Sequence, residues 1–148
     1  MANETSVSTI LYYFEKVSPK FLLLKYNIHG QTHWDFIKGK IEKGEKLEET
    51  AKRETFEEAN IKGIKIVRGF KEESTYNYQK NTGESVDKMV VYFLSKIPKE
   101  KSRMVRIAEE HQDFKWATYN QARKLLEFPN QLQVLDKANS FIKARAVS

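Results

Sequence analysis

Residues 39–61 read GKIEKGEKLEETAKRETFEEANI, and this stretch decides the fold. A stripe of small and apolar side chains recurs in it at every fourth position: Leu47, Ala51, Thr55 and Ala59. That period predicts a helix from Leu47 to Ala59. From Glu42 to Glu58 there are seven acidic and four basic residues, a local net charge of −3, whereas the whole chain of 148 residues carries +6. An acidic segment in a basic protein indicates a bound cation.

Three carboxylates share one face of this predicted helix. At 3.6 residues per turn, Glu54, Glu57 and Glu58 fall at about 0°, 300° and 40° around the axis. Like charges three and four residues apart each disfavour a helix by about 0.2–0.5 kcal/mol, so a neutralising cation is expected. Oxygen ligands of this kind suit Mg²⁺, and Mn²⁺ can substitute for it.

The competing interpretation is an ordinary solvated helix. Glu48–Lys52 and Glu49–Arg53 are favourable i,i+4 pairs, as on many charged surfaces. The full spacing argues against that interpretation. Six identities reproduce the signature of the Nudix hydrolases: Gly39, Glu45, Arg53, Glu54, Glu57 and Glu58. The stretch therefore resembles the Nudix family.

The resemblance implies a fold and a set of site residues. The fold is α/β, an α/β/α sandwich with a central mixed sheet and a catalytic loop–helix–loop. The implied metal ligands are the Gly39 carbonyl and the carboxylates of Glu54, Glu57 and Glu58, with Mg²⁺ as cofactor. Arg53 and Glu45 would pair and orient those ligands, which completes the implied catalytic set.

Two residues depart from the family pattern. Asn60 replaces the usual final glycine, but Asn tolerates the left-handed conformation that ends a helix, so we expect the turn to survive. Thr55 stands in an aliphatic position, where its methyl can pack while its hydroxyl bonds back to the helix.

Further segments carry a narrower resemblance: residues 21–24, His33-Trp34, Lys38-Gly39, residues 69–72, Lys88 and residues 109–112. With them the chain looks most similar to the asymmetrical diadenosine tetraphosphate hydrolases of the animal and archaeal type. In that family, water attack on phosphorus releases ATP and AMP. Positions matching the family's phosphate contacts are His33, Lys38 and Lys88. Either Tyr76 or Tyr78 would stack on adenine, and spacing does not choose between them. Glu110 matches an additional metal ligand from a loop.

The remaining segments complete an α/β pattern. Short β-branched and aromatic runs predict strands at residues 9–14, 21–24 and 89–94, with weaker candidates at 65–70 and 114–118. Asn120 is the expected N-cap of a helix through Leu126. A C-terminal amphipathic helix is indicated by Val134, Leu135, Ala138, Phe141 and Ile142. No linker or repeat interrupts the sequence, so residues 1–148 are predicted to form one domain.

Composition excludes several classes of function. The chain has no Cys, which excludes disulfides, thiol nucleophiles and Cys-ligated metals and fits a reducing compartment. No apolar stretch approaches the roughly 20 residues of a membrane span, so we expect a cytoplasmic protein without membrane partners. A pI of about 9.4 favours anionic partners, in the first place a small nucleotide substrate. Nothing in the sequence predicts an oligomeric state.

Three alternatives stay open at this point. Another Nudix pyrophosphatase would hydrolyse ADP-ribose or a modified nucleoside triphosphate. An RNA 5′ end or cap would be the substrate if nucleic acid were involved. A non-catalytic nucleotide- or RNA-binding module would use the basic segment from Lys99 to Arg103, although such charge runs are usually solvated surface.

Overall fold

The computed structural model describes residues 2–147, with side-chain surroundings given for residues 3–145. It contains seven strands, three α-helices and one 3₁₀ helix within that range. The strands are β1 (Ala2–Glu15), β2 (Ser18–Ile28), β3 (Gln31–Asp35), β4 (Ile37–Lys40), β5 (Lys65–Gln79), β6 (Ser85–Lys96) and β7 (His111–Ala117). The helices are α1 (Leu47–Ala59), α2 (Tyr119–Leu125) and α3 (Pro129–Val147), and the 3₁₀ helix spans Lys99–Met104.

The sheet is mixed and is organised around β1. One edge of β1 pairs with β6 in parallel over residues 2–12. Its other edge is divided, because residues 6–9 pair with β4 and residues 12–15 pair with β2, both antiparallel. Strand β5 pairs with β6, while β3 and β7 pair with opposite edges of β2.

Helices cover both faces of the sheet. Strand side chains alternate between faces, so Ile10 and Tyr12 pack with Leu135 of α3, whereas Val7 packs with Ala51 of α1 on the opposite side. A further cluster joins the end of α1 to the sheet through Ala59 and Ile61. This confirms the α/β/α sandwich with a central mixed sheet.

Several strands differ from the sequence-based prediction. The first strand extends back to Ala2 because parallel pairing with β6 supports its polar residues, which lack a strong strand pattern. Strands β3 and β4 are short and half-exposed, so no apolar run predicted them. Strand β5 continues to Gln79 as one arm of a long hairpin with β6, in which only alternate residues of its outer half are partly buried.

Three sequence-based predictions concern residues in or beside the helices. Asn60 ends α1 in the left-handed conformation with φ 61°, and its N–H bonds to the Phe56 carbonyl, which confirms that Asn replaces the usual glycine there. The Thr55 hydroxyl donates to the Ala51 carbonyl at 2.7 Å, as expected. The expected N-cap at Asn120 is wrong: Thr118 caps α2 and forms a capping box with Gln121, a pattern that starts two residues earlier.

Within residues 2–147, no helix combines the length and the apolar character that crossing a bilayer requires.

Candidate active site

Strand β4 brings Gly39 directly against the acidic helix. A Cβ atom at Gly39 would lie 1.9 Å from the Cδ atom of Glu54, so no side chain fits between them. Strand β4 is held in place by antiparallel pairing with β1, where Gly39 is opposite Val7. Glycine at this position therefore allows backbone and carboxylate to approach closely, as the predicted metal site requires.

Arg53 is the central cation of the loop–helix–loop. Its guanidinium binds Glu45 at 2.6 Å, Glu54 at 2.7 Å and Glu57 at 3.0 Å. It also donates to the Lys40 carbonyl at 2.9 Å, which ties the loop to β4. The hydrogen bond from Arg53 lowers the pKa of Glu45 to about 2. The predicted pairing of Arg53 with Glu45 is thus present in the structure.

Glu58 points to a different set of partners. Its side chain is buried and accepts hydrogen bonds from the Tyr26 hydroxyl at 2.8 Å and from the Lys38 N–H at 3.4 Å. His111 Nε2 lies 3.1 Å from the same carboxylate oxygen that Tyr26 contacts. Tyr26 and His111 are themselves packed edge to face, with ring centroids 4.5 Å apart. Glu58 is therefore fixed by strand side chains rather than by Arg53.

The three predicted metal carboxylates share a helix but do not converge on one point. The Arg53 guanidinium donates hydrogen bonds to Glu54 and Glu57. The Glu58 carboxylate points instead toward Tyr26 of β2 and His111 of β7. Accordingly, no group of three or more His, Asp or Glu side chains in the described part of the chain is close enough to hold an ion in this arrangement. Burial raises the pKa of Glu54 to about 7; the charges of Glu58 and Glu57 add to the rise, and Arg53 opposes it.

A cavity of about 550 Å³ adjoins this acidic site. Its lining residues come from strands β2 to β6 and from the start of α3. They include Tyr26, His33, Asp35, Lys38, Tyr76, Tyr92, Phe128 and Gln131. Tyr26 belongs both to the cavity wall and to the contacts of Glu58. The cavity therefore opens beside the carboxylates, and its size suits a small organic ligand.

The structure places His33 and Lys38 on this cavity wall. The His33 ring packs on Phe128 with centroids 5.2 Å apart, and its Nδ1 lies 3.5 Å from Glu127. The Lys38 ammonium is 3.9 Å from Asp35. Both side chains are partly exposed, so they can face an anion bound in the cavity.

The two candidate tyrosines lie in different surroundings. Tyr76 lines the cavity and is 41% exposed, which leaves a ring face accessible. Tyr78 follows on the same side of β5 but its hydroxyl donates to Glu4 at 2.7 Å. The pKa of Tyr78 is raised to about 12, mainly because of that hydrogen bond. Of the two, Tyr76 is placed to stack on a ligand in the cavity.

Lys88 lies on the interior strand β6, between β1 and β5, and not on a strand at the edge of the sheet. It is buried and its ammonium is 3.5 Å from Glu4. Burial lowers the pKa of Lys88, and the nearby charge of Lys38 contributes to the same change. Lys38 lines the cavity, whereas Lys88 is not among the described residues that line it.

Glu110 lies in the turn before β7, and its side chain is 72% exposed. Its carboxylate is 3.8 Å from His111, and His111 in turn contacts Glu58. Glu110 is therefore one side chain removed from the acidic helix. The residue from this loop that reaches Glu58 directly is His111.

Sequence reasoning missed two residues that hold Glu58. Tyr26 follows an apolar strand run, and nothing in its local pattern distinguishes it from a packing residue. His111 follows Glu110 in the sequence, and no local pattern marks it as a partner of Glu58. Asp35 was also missed; burial raises its pKa, and it lines the cavity beside Lys38.

The chain is similar to known proteins in sequence and in fold. The profile of the NUDIX domain matches residues 4–138. The asymmetrical bis(5′-nucleosyl)-tetraphosphatase of Sus scrofa is 34% identical over 129 residues, which cover 86% of this chain and 83% of the relative. The protein of that name from Caenorhabditis elegans is 30% identical over 134 residues, covering 89% and 93%. A crystal structure of a C. elegans Ap4A hydrolase binary complex superposes with a TM-score of 0.82 at 28% identity, covering 95% of this chain and 98% of that chain.

Proposed function

This chain belongs to the Nudix family, and on that basis we propose that it is an asymmetrical bis(5′-nucleosyl)-tetraphosphatase. It hydrolyses the phosphoanhydride chain of diadenosine tetraphosphate and releases ATP and AMP. The observation that carries the proposal is the junction at Tyr26, which joins a nucleotide-sized cavity to the carboxylate of Glu58. The relatives that share this chain's fold and length carry the same activity in their names.

The substrate is held by stacking and by charge. Tyr76 provides a face for adenine, and such stacking contributes about 1–3 kcal/mol per base. The polyphosphate lies toward His33, Lys38 and Lys88, and the two lysine ammonium groups offset the charge of an anion that the acidic helix would otherwise repel. Tyr76, His33 and Lys38 all line this one cavity, and Lys88 is the cross-strand partner of Tyr76.

The residues of the acidic helix fit a divalent cation, which we propose to be Mg²⁺. Their donors are all oxygens, the set that Mg²⁺ prefers. The close approach of Gly39 to Glu54 leaves backbone and carboxylate side by side. Mutual repulsion among Glu54, Glu57 and Glu58 contributes to the raised pKa of Glu54 even with Arg53 beside it, so the cluster still favours an additional cation. Gly39, Glu54, Glu57 and Glu58 would hold the ion, with Glu110 reaching it from its loop.

A bound Mg²⁺ supplies charge neutralisation at the phosphate oxygens and makes water a better nucleophile. In hydrolysis the oxygen of water forms a bond to phosphorus, the bridging P–O bond breaks, and a carboxylate accepts the proton that water loses. Glu58 is kept in one orientation by Tyr26 and His111. Arg53 and Glu45 hold the loop, and Glu54 stays beside Gly39.

Product analysis tests the proposed function. Purified protein with Mg²⁺ and diadenosine tetraphosphate is expected to release equal amounts of ATP and AMP, measured by ion-exchange chromatography. In ¹⁸O-labelled water the label identifies the phosphorus that is attacked. Release of two ADP molecules, or efficient cleavage of ADP-ribose or an RNA 5′ end without cleavage of diadenosine tetraphosphate, would contradict the proposal.

Truncation of Tyr76 tests the stacking platform. Tyr76→Ala is expected to raise KM about 5- to 150-fold, because it removes stacking of about 1–3 kcal/mol. The matched variant is Tyr78→Ala, which removes a ring on the same strand face whose hydroxyl is bound to Glu4. Steady-state kinetics measure both. A larger KM increase in Tyr78→Ala than in Tyr76→Ala would assign the platform to Tyr78.

The raised pKa of Glu54 predicts how metal-free protein responds to pH. Between 4.5 and about 7 the folded protein retains a proton that the unfolded chain has released, so stability falls as pH rises through that window. Mg²⁺ binds the charged form, and its stabilising effect is therefore expected to be larger at about pH 8 than at about pH 5. Thermal unfolding with EDTA or Mg²⁺ measures this. A Mg²⁺ effect independent of pH, or an unchanged pH dependence in Glu54→Gln, would contradict it.

A further inference from the structure

A second pocket, of about 510 Å³, lies at the other end of the molecule. It is enclosed by the end of β1, the start of β5, the end of β6 and the C-terminal part of α3, and none of its lining residues lines the substrate cavity. Along α3 the two are separated by the distance from Gln131 to Arg145, about 21 Å at 1.5 Å per residue. The pocket is therefore independent of the candidate active site.

Four cations line this pocket: Lys65, Arg68, Lys96 and Arg145. No Asp or Glu is among the described residues that line it. Lys65, Arg68 and Lys96 form no ion pair within residues 3–145, where other surface lysines such as Lys137 do. A concave site lined by several like charges, with no acidic residue among its described lining residues, attracts anions strongly.

The pairing of β5 with β6 sets two of these cations against each other. Lys65 is directly opposite Lys96 in the antiparallel register. Like charges in that position destabilise a sheet. The Lys96 ammonium is held 4.8 Å from the centre of the Phe14 ring, which fixes it at the pocket wall. The fold therefore maintains an unfavourable charge pair that an anion between the lysines would relieve.

The floor of the pocket identifies which part of a ligand it can take. Tyr12 is 5% exposed, and the Phe14 ring face is already occupied by Lys96. No open aromatic face is thus offered to a nucleobase among the described lining residues. Several cations around an apolar floor suit a chain of phosphate groups rather than a planar ring.

We propose that this pocket, centred on the opposed Lys65 and Lys96 with Arg68 beside them, is a second anion site that binds a polyphosphate chain. The ligand is either free inorganic polyphosphate or the phosphate tail of a nucleotide, since both present the same chemistry. The inference does not rest on the proposed hydrolase activity.

Binding to metal-free protein tests the site. In EDTA, where the acidic helix repels anions, tripolyphosphate and ATP are titrated by calorimetry and adenosine serves as the unphosphorylated probe. The double variant Lys65→Ala/Lys96→Ala is expected to weaken tripolyphosphate binding at least about tenfold. The control, Lys71→Ala/Lys115→Ala, removes two exposed strand lysines outside the pocket and changes net charge equally, so it should bind like the unmodified protein. The ratio of ATP to tripolyphosphate affinity distinguishes a nucleotide tail from free polyphosphate.

A charge reversal gives a second readout that does not depend on affinity alone. Lys65→Glu replaces the repulsive cross-strand pair with an attractive one, and is expected to raise the Tm by about 1–4 °C without ligand. It should also abolish the rise in Tm that tripolyphosphate produces in the unmodified protein. Equal tripolyphosphate binding by the unmodified protein and the pocket double variant, an equal loss in the control, or adenosine binding at these residues would overturn the proposal.

Discussion

Glu57→Gln is expected to lower kcat/KM for diadenosine tetraphosphate by about a thousandfold, which corresponds to roughly 4 kcal/mol of transition-state stabilisation. The amide has nearly the shape of the carboxylate but cannot neutralise a divalent cation. In the structure Glu57 is 53% exposed and contacts Arg53, so the substitution should leave the fold intact. Steady-state kinetics over a range of Mg²⁺ concentrations, with circular dichroism to confirm folding, provide the measurement.

Glu48→Gln is the matched control for this variant. Glu48 is an exposed residue of the same helix, in its first turn, so its replacement changes net charge equally. Its kcat/KM should equal that of the unmodified protein. If Glu57→Gln retained full turnover, the enzymatic role of the acidic helix would be wrong. If neither the unmodified protein nor any variant turned over substrate while nucleotide still bound, the non-catalytic binding module would be the better interpretation.

Gly39→Ala is expected to separate activity from stability. The added Cβ would lie 1.9 Å from Glu54 Cδ, so the carboxylate has to leave its position beside the β4 backbone. The displaced atoms are the flexible end of a side chain, so the fold should lose about 1 kcal/mol or less. Losing one oriented metal ligand should lower kcat/KM about 10- to 100-fold and raise the Mg²⁺ concentration needed for half-maximal activity.

Gly83→Ala provides the opposite pattern. Gly83 has φ 88° and open space around it, so alanine there strains the backbone of the β5–β6 turn without touching another residue. We expect a loss of about 1 kcal/mol in stability and unchanged kcat/KM. Chemical denaturation and kinetics on both variants give the comparison. Full activity in Gly39→Ala would show that the close approach to Glu54 is not needed.

Local rules predicted the acidic helix well. The small and apolar residues at every fourth position from Leu47 to Ala59 predicted both ends of the helix correctly. Side chains at that spacing share one helix face and can pack against a sheet. Asn60 was identified as its stop because few residues tolerate φ near +60°. The pairing of Arg53 with Glu45 followed from the family resemblance, and the structure contains it.

Long-range contacts account for what the sequence did not predict. Tyr26 and His111 reach Glu58 from strands 32 and 53 residues away along the chain, and no local pattern reports such a distance. Strand β4 has four residues and is defined by pairing with β1 rather than by propensity. The choice between Tyr76 and Tyr78 depends on Glu4, whose position follows from the register of β1 with β6.

The contacts of Arg53 affect how the proposed metal ion would bind. A guanidinium that grips Glu54 and Glu57 together competes with the incoming ion for the same oxygens. Binding of the proposed Mg²⁺ would require Arg53 to release these two carboxylates, which weakens the apparent affinity for the ion. Without the ion, the guanidinium offsets part of the repulsion between the two carboxylates.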